Sequence, residues 1–144
     1  MKSEILQPVV LLAAWTMFMW LWMYATRLPA MGNAQGLDVN NMVGGVGTDL
    51  DKVLPSKIQW IAHNYNHLHE QPTVFYAVSL ALAFMGAGDG FNAKLAWAYV
   101  ILRIIHSLVQ ALWNRIVVRF TIFLLASVAL IMLTAHAALM VFHH

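Results

Sequence analysis

Residues 116–142 read IVVRFTIFLLASVALIMLTAHAALMVF, a run whose only formal charge is Arg119. A helix rises ~1.5 Å per residue, and about 20 residues cross a ~30 Å hydrocarbon core. The run is long enough to cross a bilayer and too apolar for the skin of a soluble bundle. Three further apolar stretches accompany it. The first is about Val9–Leu28. The second is about Pro72–Gly86, with a helical pattern that begins near Lys57. The third is Ala93–Trp113, with Lys94 at its start and one charge within it, Arg103. The second stretch reaches spanning length only by including His67–Gln71. The reading is all-α: an integral membrane four-helix bundle with four transmembrane helices, residues 1–144 forming one domain.

Composition supports lipid as the solvent. The 144 residues are 61% hydrophobic and 10% charged, against about 25% charged in soluble domains. A globule this small has no room to bury so much apolar surface. The net charge is +2 and the basic residues are scattered, so no nucleic-acid footprint exists. The absence of cysteine excludes disulfides, thiolate metal sites and a cysteine nucleophile. The apolar run Val9–Tyr24 exceeds a signal-peptide core and no small-x-small cleavage site follows it. It reads as a retained span.

The connections differ in kind. Residues 29–56 hold Pro29, Gly32, Gly36, Gly44, Gly45, Gly47 and Pro55, which is turn chemistry and predicts a long loop. Its Gly44–Gly47 run lacks the Lys-Ser/Thr ending of a phosphate loop. Gly86–Asn92 and Asn114–Val118 predict short turns. Arg27, Lys52, Lys57, Arg115 and Arg119 gather on the side of the long loop, with Lys2 and Lys94 on the other. The positive-inside rule therefore places that loop in the cytoplasm and both termini opposite. Trp20, Trp22, Tyr24, Trp60, Tyr65 and Trp113 mark the cytoplasmic boundary, and Trp97 and Tyr99 the other. Four spans without an inverted repeat offer no alternating-access transporter.

Ionisable residues at membrane depth cost at least ~2.5 kcal/mol at the centre and need a reason. On the third stretch Arg103, His106 and Gln110 fall at i, i+3 and i+7, with Ser107 beside them. On the second, His63, Asn66, His67 and Glu70 fall at i, i+3, i+4 and i+7. Both stripes are expected to face the interior near the cytoplasmic end. Glu70 is expected level with Ser107–Gln110, and Arg103 ~9 Å deeper. Pro72 has no N–H for the Leu68 carbonyl and should bend its helix. One reading of these groups is structural, a polar network that glues apolar helices. The spacing of His63, His67 and Glu70 also permits a metal, but hydrogen bonding is the commoner role and no metal is assigned. His136 is expected to be packed or subunit-facing. Arg115 and Arg119 either set topology or meet an anion. A cation beside a thiol favours the thiolate, and such a thiol must belong to a ligand.

Arg103-Ile-Ile-His106-Ser107 followed by Arg115 and Arg119, the run Asn64–Tyr76, and Arg27-Leu28-Pro29 together resemble the MAPEG family, the membrane-associated proteins in eicosanoid and glutathione metabolism. The resemblance covers nearly the whole chain. It implies a four-helix bundle assembled as a homotrimer, with glutathione held between subunits near the cytoplasmic face. By the same resemblance Glu70 meets the amino end of glutathione, and Arg103 and His106 match the arginine and histidine of helix three. Arg119 matches the arginine that stabilises the thiolate, and Arg27 a basic residue that meets a carboxylate. Three positions depart from the pattern: His63 stands for an arginine, His67 for an asparagine and Gln110 for a tyrosine. The motif Asn66–Thr73 is similar to bacterial members, which implies an inner membrane.

The expected function is a membrane-embedded transferase or peroxidase that uses glutathione or a related thiol on lipophilic substrates. Arg119 would be catalytic, and Glu70, Arg103, His106, His67, Gln110 and Arg27 would bind the cofactor. The alternative is a non-catalytic protein on the same scaffold that binds lipid or a partner.

Overall fold

The computed structural model describes residues 3–33 and 54–143. Among them lie five helices and no strand: α1 Leu6–Asn33, α2 Ser56–His67, α3 Pro72–Phe84, α4 Phe91–Leu112 and α5 Ile116–Phe142. Three of these, α1, α4 and α5, are long and apolar enough to cross a membrane. The apolar window of α4 is 50% buried, against 28% in α1 and 22% in α5. That difference makes α4 the central element. It packs along α5 and touches α1 and α2, while α3 bridges α5 and α1.

The outward faces explain why the bundle needs no polar coat. Val10, Phe18 and Leu21 on α1 and Phe120, Val128 and Ile131 on α5 are all exposed. In lipid such surface carries no hydrophobic penalty, and each helix satisfies its own backbone.

The second apolar stretch is broken rather than bent. The chain leaves α2 through tight turns, His69 N–H donating to the Asn66 carbonyl (3.0 Å) and Glu70 N–H to that of His67 (3.1 Å). Pro72 then opens α3 at its first turn, where the missing N–H costs nothing. The expected bend becomes two helices, α2 and α3, because the i→i−3 turns tighten the chain before the proline.

Two other expectations change. Pro29 was expected in a loop, but α1 continues through it to Asn33. Thr26, one turn earlier, hydrogen-bonds the carbonyls of Trp22 (3.1 Å) and Met23 (3.0 Å) on the same helix. Tyr99 is no interface marker: it is fully buried against α3. Gly36, Gly44, Gly45, Gly47 and Lys52 lie outside the described residues.

The turn between α3 and α4 is held by the N-terminal residues. Ile5 N–H donates to the Gly88 carbonyl (3.0 Å) and Glu4 N–H to Asp89 Oδ1 (2.8 Å). A Cβ on Gly88 would lie 2.6 Å from Ile5 Cγ2, so only glycine lets the two segments approach this closely.

Candidate functional site

Arg103 sits at the centre of the molecule, with no exposed surface. Its α4 neighbours at helical spacing, Tyr99, His106, Ser107 and Gln110, are buried too. One arm of the guanidinium, Nη2, donates to His67 Nδ1 at 2.9 Å. Because a guanidinium only donates, that nitrogen must carry the lone pair, and the neutral imidazole holds its proton on Nε2. The Arg103 Cζ also lies 5.5 Å from the centre of the Phe123 ring on α5. The rings of His67 and His106 sit 5.1 Å apart and both meet Phe123, at 5.3 and 5.8 Å.

The remaining polar atoms are divided between partners and orphans. Trp15 Nε1 donates to Ser107 Oγ at 2.9 Å, and Asn64 Nδ2 donates to the same oxygen. Tyr99 donates to Gln71 Oε1 (3.0 Å), and Gln71 Nε2 to Ser127 Oγ (2.9 Å). These bonds tie α4 to α1, to α2, and through the residues before α3 to α5. Arg103 Nε and Nη1, His106 Nδ1, Asn64 Oδ1 and Gln110 Oε1 are buried without a partner among the described residues. Among the described residues no carboxylate pairs with Arg103. An uncompensated buried cation is costly, and each unmade buried hydrogen bond costs ~1–3 kcal/mol. The arrangement is therefore suited to a ligand that brings an anion and N–H groups together.

The expected residues divide. Arg103, His106, His67 and Gln110 come together or line one face. Arg119 lies one turn into α5, half-buried, its Nη1 donating to Asn114 Oδ1 at 2.7 Å. Arg115 is exposed and lies over Trp113, 5.5 Å from the ring centre. Arg27 is half-buried on α1.

The stripe expected on the second stretch is corrected by one residue. Asn66 and Glu70 are exposed, while Asn64, Leu68 and Gln71 turn inward with His67. One helical residue is about 100° of rotation, enough to exchange a buried face for an exposed one. Asn64, Gln71, Tyr99, Trp15 and Phe123 escaped the sequence reading as site residues. Two signals were present. Asn64, His67 and Gln71 also stand at i, i+3 and i+7, and a mid-span Trp15 indole needs an acceptor. No three His, Cys, Asp or Glu among the described residues cluster as metal ligands, so His63, His67 and Glu70 form no such group.

An all-helical bundle with spanning apolar helices and a buried polar centre is an integral membrane protein. The sequence model of the MAPEG family matches residues 5–139. The chain belongs to the MAPEG family. No curated protein and no solved structure matches it significantly.

Proposed function

We propose that this chain is a membrane-embedded transferase or peroxidase that activates glutathione or a related thiol against a lipophilic substrate. The observation that carries the reading is the buried Arg103, whose Nε and Nη1 have no hydrogen-bond partner and which pairs with no carboxylate among the described residues. A thiol peptide supplies the missing groups. Its anionic end meets the free guanidinium donors, and its N–H groups meet the orphaned Asn64 Oδ1 and Gln110 Oε1. His67, already oriented by Arg103, and His106 complete the wall. Arg119 stabilises the thiolate, and a membrane-dissolved electrophile then meets a nucleophile held in place. Family membership supports glutathione as the thiol.

On this reading the second span is the α2–α3 pair, making four spans and one domain over residues 1–144. The chains assemble as a homotrimer in a bacterial inner membrane, with the 29–56 loop cytoplasmic and both termini opposite. The exposed Glu70, at the break between α2 and α3, supports the trimer. A carboxylate at membrane depth cannot face lipid cheaply. In a trimer it meets the neighbouring subunit, where it holds the amino end of the peptide, and Arg27 meets a carboxylate of the same peptide.

Glutathione titration of the detergent-purified protein tests the reading, with thiolate absorbance in the ultraviolet as the signal. A saturable signal that Arg119→Ala removes is expected. Its absence in the unaltered protein defeats the thiol reading. The second reading, non-catalytic lipid binding, is favoured by an apolar cleft of about 660 Å³ lined by Leu6, Val10, Leu11, Ala14 and Trp97 among others. It predicts retained lipid and no thiolate signal.

A further inference from the structure

A second group of metal-ligating side chains lies at the other end of the bundle. His136 and Met140 stand at i and i+4 on one face of α5, and His143 is the residue that ends the helix. Together with Asn92 and Leu139 they line one cleft of about 380 Å³. Along α5, His136 is about 20 Å from Phe123 and the Arg103 centre. The cleft is therefore separate from the site above.

The protonation of His136 follows from its neighbours. Asn92 Nδ2 donates to the Ala87 carbonyl at 2.8 Å. A carbonyl only accepts, so the amide cannot be reversed, and Asn92 Oδ1 is the atom 2.7 Å from His136 Nδ1. An amide oxygen also only accepts, so His136 Nδ1 carries the proton. In the neutral ring the lone pair is then on Nε2, the arrangement in which a histidine binds a metal while a second residue orients it. The Phe91 ring, 5.8 Å from that of His136, covers one side.

We propose that His136, Met140 and His143 form a site for Cu(I). The donors are two imidazoles and a thioether, and among the described residues the cleft is lined by no carboxylate. Hard divalent ions favour carboxylate and carbonyl oxygen, whereas thioether sulfur favours Cu(I). The set itself carries no negative charge, which suits a monovalent ion. Asn92 is a positioning residue that acts through His136.

Anaerobic competition tests the site, with full-length protein in detergent and Cu(I) supplied as its bathocuproine disulfonate complex. The protein is expected to withdraw one equivalent. His136→Ala should abolish the withdrawal. Met140→Leu, which conserves volume, should weaken it by about tenfold or more, and Asn92→Ala by about tenfold. Loss in Met140→Leu protein that elutes and melts like the unaltered chain separates lost ligation from misfolding. No withdrawal by the unaltered protein overturns the proposal. So does undiminished withdrawal by both His136→Ala and Met140→Leu, or Zn(II) binding without Cu(I) binding.

Discussion

Replacing Arg103 by methionine should separate stability from binding. In the ligand-free chain the guanidinium has two orphaned nitrogens and no paired anion among the described residues. Removing them relieves ~2–6 kcal/mol of unmade buried hydrogen bonds, taken at ~1–3 kcal/mol each. Against that stands one charge-assisted bond to His67 Nδ1 at 2.9 Å, worth ~1.5–3 kcal/mol. The contact with Phe123 adds about 0.5–2 kcal/mol. The terms nearly cancel, so Arg103→Met should unfold within about 2 kcal/mol of the unaltered protein. Truncating a buried leucine would cost ~2–5 kcal/mol. The ligand-bound state behaves differently. There the guanidinium would donate two charge-assisted bonds, together ~3–6 kcal/mol, so affinity should fall by at least about a hundredfold. The assay is thermal unfolding in detergent, with and without saturating glutathione. The unaltered protein should melt higher with ligand, by mass action on the folded state, and Arg103→Met should show no such rise. A variant that loses far more than 2 kcal/mol without ligand would show that Arg103 holds the bundle together. A variant that still gains from ligand would refute the anion-binding role.

Two further substitutions test the packing. Asn64→Ala should cost ~1–3 kcal/mol more than Asn66→Ala in denaturant unfolding, because Asn64 is fully buried on Ser107 and Asn66 is exposed; equal costs would refute the inward register of α2. Gly88→Ala should displace residues 3–5 from the α3–α4 turn, since the new Cβ meets Ile5 and Ser3, and limited proteolysis should then cut the N-terminus faster.

Four charge-poor apolar runs already imply a membrane protein, because lipid is the only solvent that such a surface tolerates. Arg103, His106 and Gln110 were legible as an interior stripe for a related reason. They share one face of a long uninterrupted helix, and a mid-span arginine has nowhere else to go. The second stretch was harder to read. Polar residues crowd both faces of α2, so two stripes one residue apart, one through Asn66 and Glu70 and one through Asn64 and Gln71, fit the helical period equally well.

Tertiary packing decided between those stripes. Ser107, Tyr99 and Ser127 offer partners to Asn64 and Gln71, and a buried polar group goes where it can be satisfied. The same holds for the partners of Arg103. Counting along the helices set Glu70 level with Ser107–Gln110 and left Arg103 deeper without a partner; the break before Pro72 leaves Glu70 exposed, and His67 reaches the guanidinium. A sequence records spacing along one helix. Which side chains from different helices meet depends on rotation and on where a helix breaks, and those follow from the hydrogen bonds and packing between helices.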